Sequence, residues 1–170
     1  SLIASDALLL NIDHHQTNTR FGTHHLINPE AAATAEVLYD WIESMGVQWT
    51  KPLATCVYTG LLTDTGGFRY SNTTPSVMKQ AARLLEFGVD APRIAEQVLE
   101  TMTVGQLNLL RRGLSTLQLS EDGRIAWMWL TLQDFSESGA GEGDLDGIVN
   151  YARNVIGVEV EHGGVVPSEE

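Results

Sequence analysis

The chain has 170 residues, 43% of them hydrophobic, and a formal net charge of −12. That length fits one domain, or one domain and part of another, and can bury a sizeable core. The acidic balance argues against a broad basic groove for duplex nucleic acid, and no apolar run is long enough to read as a membrane span.

The start, Ser1-Leu2-Ile3-Ala4-Ser5-Asp6, lacks the basic flank of a signal peptide. Opening on Ser1 rather than on a methionine fits a start inside a longer parent. The single cysteine, Cys56, allows no intrachain disulfide, which fits a reducing, cytoplasmic location. Cys56 lies among apolar residues and is expected to be a small buried filler.

The run Ala7-Leu8-Leu9-Leu10-Asn11-Ile12 reads as a buried strand, and Asp13-His14-His15 follows it. Open α/β sheets place their chemistry just past the carboxyl ends of strands. An acid and two imidazoles therefore leave the sheet together. Imidazole suits divalent transition metals, and a neighbouring carboxylate can fix its tautomer. Spacing alone leaves metal or phosphate chemistry and a structural polar turn both open.

Gln16 to Gly22 reads as a polar loop, and His24-His25-Leu26-Ile27-Asn28 as a short strand ended by Pro29. Adjacent strand residues point to opposite faces, so His24 and His25 are read as structural rather than as a shared ligand pair. Glu30 to Met45 has helical spacing, with Leu38, Trp41, Ile42 and Met45 as core positions and Gly46 as the stop. Pro52 to Leu62 is a second helix, with Leu53, Cys56, Val57 and Leu61 on a shared side. It runs into Thr63-Asp64-Thr65-Gly66-Gly67. Asp64 sits where helix gives way to loop. Taken alone, it reads as an ordinary turn aspartate.

Ser76 is the expected N-cap of a helix through Phe87, ended by Gly88. Pro92 opens a helix to about Glu100, and Val104 to Leu114 gives another, with Leu107, Leu110 and Leu114 along one side. Arg111 and Arg112 read as a solvated helix end. Two apolar runs flanking Glu121-Asp122-Gly123 signal a hairpin, with Trp127 and Trp129 packed on one face. Gly139 to Gly143 is expected as a flexible link. Asp144 to Arg153 reads as a helix, Gly157 to Val160 as a last strand, and Glu161 to Glu170 as a poorly ordered tail.

The order of strand, Asp13-His14-His15, helix and Gly60-Leu61-Leu62-Thr63-Asp64-Thr65-Gly66 resembles the DHH phosphoesterase family of the RecJ-like superfamily. The segment Phe68-Arg69-Tyr70-Ser71-Asn72-Thr73-Thr74 is similar to the stretch after the family's fourth motif. The nearest likeness is to the branch that degrades very short RNA and dephosphorylates 3′-phosphoadenosine 5′-phosphate (PAP). The resemblance implies an α/β fold: part of a DHH domain with a parallel sheet over residues 1–103, a linker helix at 104–114, and the start of a smaller α/β domain at 115–170. It implies that His14 and Asp64 are metal ligands, for Mn²⁺ or, alternatively, Mg²⁺. By the same likeness His15 faces the scissile phosphate and Asp13 orients the pair. The implied chemistry is two-metal hydrolysis of a short single-stranded oligonucleotide or nucleotide, with ions about 3.5–4 Å apart.

The family's first motif, a His and two Asp, has no counterpart in the sequence. Asp6 lies too close to Asp13 to stand for the second, and His162-Gly163-Gly164 imitates the closing glycine-rich motif poorly. The expectation is an internal piece of the fold, with weak metal binding and little hydrolysis, and with an exposed sheet edge that invites self-association. The competing readings are a non-catalytic interaction or regulatory remnant, a cyclic-dinucleotide phosphodiesterase and an inorganic pyrophosphatase. A nucleic-acid-binding module is disfavoured by the charge.

Overall fold

The structure, a computed structural model, describes Ala4, residues 7–145 and residues 147–166. Asp6 and residues 167–170 of the tail lie outside the described residues. The chain divides into two compact units, Ser1–Thr101 and Met102–Glu170. Each combines strands with helices, as the expected α/β class requires. The dividing line falls between Thr101 and Met102, and the helix beginning at Val104 is grouped with the second unit.

In the first unit β1 (Leu10–Asp13) and β2 (His24–Ile27) pair in parallel, with Leu10 opposite His24 and Asp13 opposite Ile27. Thr23 pins this register. Its hydroxyl accepts from Leu9 N at 3.0 Å and donates to Leu9 O at 3.1 Å. The run at residues 7–12 is less buried than its composition predicts. Leu8 is 79% exposed and Asn11 is the only buried residue of β1, because β1 has one strand neighbour among the described residues.

Three helices follow, α1 (Thr34–Ser44) packed against β1, α2 (Lys51–Asp64) against α1, and α3 (Pro75–Leu85) against α2. The helix expected from Glu30 starts later. Ala31, Ala32 and Ala33 are buried in non-helical backbone, and the Glu36 carboxylate accepts from Ala32 N at 2.7 Å. Ile42 joins the core as expected, but Met45 is exposed and Leu38 and Trp41 are only half-buried. Ala35 and Val37 take the inner face instead, since small side chains let α1 approach α2 closely. A Cβ added at Gly60 would stand 2.7 Å from the Ala35 Cβ.

On α2 the buried stripe is Ala54, Val57, Tyr58, Leu61 and Leu62. Cys56 falls off that stripe and is exposed, which corrects its reading as a buried filler. Thr74, not Ser76, caps α3. Its hydroxyl accepts from Val77 N at 3.2 Å, and Pro75 takes the first helical position, where a missing N–H costs nothing. Further on, α4 (Ala91–Ala95) opens at the Asp90 cap and runs into a π-helical turn, Glu96–Glu100.

The second unit is built on α5 (Val104–Ser115) and a sheet of order β3-β4-β5. The strands are β3 (Gln118–Leu119), β4 (Ile125–Thr131) and β5 (Val160–Val166). The first two form the expected antiparallel hairpin, and β5 runs parallel to β4. The inner face of α5 is Gly105, Leu109, Leu110 and Gly113, while Leu107 and Leu114 are exposed. The leucine spacing missed this because glycine carries no hydrophobic signal. At Gly105 a Cβ would meet the Ala140 backbone at 2.7 Å.

Arg112 is not a solvated helix end. It bridges Asp134 at 2.6 Å and Glu137 at 3.0 Å, on α6 (Leu132–Ser138). In β4 the core-facing residues are Ala126, Met128 and Leu130. Trp127 and Trp129 share the opposite face and are half-buried, contrary to the expected packing. The helix expected over residues 144–153 is a 3₁₀ turn, Glu142–Leu145, and a short α7, Asn150–Arg153, separated by Gly147 at φ +78°. The last strand starts later than predicted, and β5 occupies the first half of the stretch expected to be poorly ordered.

The α1–α2 contact makes a test whose sign is informative. Gly→Ala inside a helix ordinarily stabilises by about 1 kcal/mol. Here Gly60→Ala is expected to destabilise by about 1–3 kcal/mol through overpacking against Ala35. Urea unfolding, with amide exchange followed on α1 and α2, reads the change. Adding Ala35→Gly should recover most of it.

Candidate metal centre

Asp13 closes β1, so its side chain and those of the two residues after it emerge at the carboxyl end of the parallel pair. Asp13 Oδ1 accepts from His14 N at 2.7 Å, His15 N at 3.2 Å and His15 Nδ1 at 2.6 Å. Its Oδ2 accepts from the Asn18 amide. The Asn18 amide and then the His15 ring hold the Asp13 carboxyl well below the usual carboxylate range. Asn18 is held in turn by a reciprocal amide pair with buried Asn11, at 3.0 and 3.2 Å.

The bond to Asp13 assigns the His15 tautomer. A carboxylate only accepts, so Nδ1 of His15 carries a proton and Nε2 points away from Asp13. The His15 side chain is 66% exposed. His14 is set by a different partner. Its Nδ1 lies 3.2 Å from the Ala31 carbonyl oxygen, which also only accepts. The Nδ1 proton is therefore used there, and in the neutral ring Nε2 keeps its lone pair.

That lone pair faces Asp64. His14 Nε2 and Asp64 Oδ2 are 3.5 Å apart. Asp64 is the last residue of α2, a helix with no basic residue in its final turn, so the negative end of the helix dipole adds to the carboxylate. A cation between these groups complements all three. Two metal–ligand bonds of about 2.1 Å span at most about 4.2 Å, so atoms 3.5 Å apart can share one ion. The donor set fits a divalent metal: one imidazole with an assigned tautomer and one open carboxylate.

The four residues expected at the site, Asp13, His14, His15 and Asp64, lie near one another. Donor atoms of Asp13, His14 and His15 lie within 4.8 Å of one another, and Asp64 joins through His14. The oxygens of Asp13 already receive four N–H groups, so it is an orienting group rather than an open donor. The second histidine pair is engaged elsewhere. His25 Nε2 lies 2.6 Å from Arg20 O and His24 Nδ1 lies 3.0 Å from the Thr23 hydroxyl.

The sequence reading missed Asn11, Asn18, the Ala31 carbonyl and Asn72, whose amide reaches both Ala32 O and Asp64 O. Side-chain amides bonding across loops have no periodic signature. A buried Asn inside an otherwise apolar strand was the available signal, at Asn11.

Asn18→Ala is expected to raise the Asp13 pKa from well below its reference value of 3.8 toward it. Because the folded value is depressed, this network stabilises the fold above the unfolded pKa and is lost as pH falls through the folded one. The variant should therefore begin acid unfolding at higher pH. A ¹³C-carboxyl titration by NMR with parallel circular dichroism checks both shifts.

No family model matches the chain. Over 152 residues it is 40% identical to the bifunctional oligoribonuclease and PAP phosphatase NrnA of Thermus thermophilus, a match covering 89% of this chain and 45% of that protein. It is 25% identical over 160 residues to the protein of the same name from Bacillus subtilis, covering 91% and 50% respectively. Among solved structures, an exopolyphosphatase-related protein from Bacteroides fragilis aligns with a TM-score of 0.81 at 30% identity, over 91% of this chain and 46% of that one. The chain spans about half the length of the curated relatives it matches. These relatives, this fold neighbour and Asp13-His14-His15 at the end of a parallel strand support a fragment of a DHH-family phosphoesterase.

Proposed function

We propose that the chain carries one side of the divalent-metal centre of a phosphoesterase that hydrolyses short oligoribonucleotides and PAP. The observation that carries this reading is the 3.5 Å approach of His14 Nε2 to Asp64 Oδ2, with the other His14 nitrogen committed to a peptide carbonyl. The relatives' names supply the substrate class.

In this reading His14 and Asp64 hold the ion, Mn²⁺ or Mg²⁺. When bound, the ion lowers the pKa of water and offsets charge on the phosphate oxygens. Asp13 fixes the His15 ring so that Nε2 meets the scissile phosphate at the open side of the site. Water oxygen bonds to phosphorus and gives up a proton, the phosphorus–oxygen ester bond breaks, and that proton, passed on through solvent, ends on the departing alcohol oxygen. A net charge of −12 on this chain disfavours a long polyanion, while a single bound cation dominates the field close to it.

The described residues offer few open donors: His14, His15 and Asp64. A hard divalent ion takes about six ligands, so this chain alone should bind Mn²⁺ weakly and hydrolyse little. Mn²⁺ titration followed by electron paramagnetic resonance tests the ligands. His14→Ala and Asp64→Ala should each weaken binding more than about tenfold. Equal binding by all three proteins would remove both residues from the centre. Assays with a dinucleotide, PAP, a cyclic dinucleotide and pyrophosphate test the chemistry. Rapid Mn²⁺-dependent turnover by the 170-residue chain would contradict an incomplete centre, and turnover of pyrophosphate alone would contradict the nuclease reading. Equal Mn²⁺ binding together with no turnover would favour the non-catalytic remnant.

A further inference from the structure

His14 and Asp64 come from separate parts of the first unit, and among the described residues no backbone hydrogen bond joins their segments. Beside the packing of α1 on α2, one side chain, Asn72, hydrogen-bonds to both segments. Its Nδ2 lies 3.2 Å from the Ala32 carbonyl oxygen and 3.1 Å from the Asp64 carbonyl oxygen. Ala32 follows Ala31, whose carbonyl holds the His14 ring. The contacts therefore close a circuit from the His14 ring to Ala31, Ala32, Asn72 and Asp64, and back across the 3.5 Å gap to His14.

We propose that Asn72 is a positioning residue of this centre, whose one amide nitrogen sets the opening between His14 and Asp64. The inference rests on the metal reading above and assigns a new role within it.

The chemistry selects asparagine. A primary amide has two N–H donors on one nitrogen, and each goes to one carbonyl. The opposite amide orientation would set Oδ1 against two carbonyl oxygens, so the donors fix which way the group points. Asn72 Oδ1 is buried without a partner among the described residues. An unsatisfied buried acceptor costs free energy, and that cost is accepted here to place both N–H groups. Aspartate has no donor at this position, and serine has a single one.

The loop that presents Asn72 is itself anchored. Buried Thr65 donates its hydroxyl to Leu61 O at 2.6 Å and accepts from Phe68 N at 3.1 Å. Arg69 N and Tyr70 N both donate to Thr65 O at 3.0 Å. Phe68 takes a left-handed conformation at φ 62°, and its ring packs against Tyr58 with centroids 6.0 Å apart. A non-glycine residue held there is strained, and such strain persists only where the surroundings over-determine it. Thr74 then starts α3. The amide is thus held from both sides of the loop.

The test compares the unsubstituted chain with Asn72→Ala, and with Asn72→Ser should the alanine variant fail to fold. Val77→Ala serves as a control that loosens the core of the same unit without touching the amide. In metal-free protein, the nuclear Overhauser effect between His14 Hε1 and Asp64 Hβ should weaken at least threefold in the Asn72 variants and stay within twofold in the control. With Mn²⁺ added, the slope of paramagnetic broadening at the His14 ring should fall about tenfold in the Asn72 variants only. In an Asp64→Ala background, the Asn72 substitution should add no further loss. An unchanged Overhauser effect in the Asn72 variants overturns the inference whatever the metal does. An absence of Mn²⁺ broadening at His14 in the unsubstituted chain, with the Overhauser effect still lost on substitution, refutes the metal reading alone.

Discussion

The hydrogen bond between the His14 ring and the Ala31 carbonyl constrains everything else at this site. A peptide carbonyl can only accept, so the bond decides which ring nitrogen carries the proton. The other nitrogen is left facing a carboxylate at 3.5 Å, at the electronegative end of a helix. With the ring neutral, two electron-rich groups meet there, and a cation between them makes the contact attractive. The arrangement persists because it is held from outside, by the β1–β2 pairing, the packing of α1 on α2 and the buried alanines that shape the loop.

The two carboxylates of the site show how environment divides roles between like groups. Asp13 is surrounded by donors from Asn18, His14 and His15, which keep it ionised and leave its oxygens engaged. Asp64 is more open, with its side chain 42% exposed and its backbone, not its carboxylate, tied to Asn72. One acid is therefore suited to orient and the other to bind. The same contrast of a satisfied and an unsatisfied carboxyl underlies acid and base assignments in many hydrolytic sites.

Much of this was legible in the residues, and the misses have common causes. The Asp13-His14-His15 run stands out because it ends an apolar run, whereas Asp64, at a helix running into Gly66-Gly67, reads alone as a turn aspartate and is singled out only by the family resemblance. The hairpin around Glu121-Asp122-Gly123 was equally plain. Which face of each helix is buried was less so. On α1 and α5 the inner face includes Ala35, Gly105 and Gly113, whose value lies in close approach rather than in hydrophobicity, so the larger Met45, Leu107 and Leu114 drew the expectation outward. The turn at Gly147 and the strand over Val160–Val166 were hidden because local pattern does not encode pairing with β4. The amides of Asn11, Asn18 and Asn72 were invisible for a third reason, since their partners are remote backbone and side-chain atoms brought near only by the fold.

The most direct test of the account is the protonation pattern of the His14 ring in metal-free protein, at a pH where the imidazoles are neutral, read from long-range ¹H–¹⁵N correlation spectra. The account predicts a proton on Nδ1 and a bare Nε2. A proton on Nε2, with Nδ1 bare beside the Ala31 carbonyl, would contradict it.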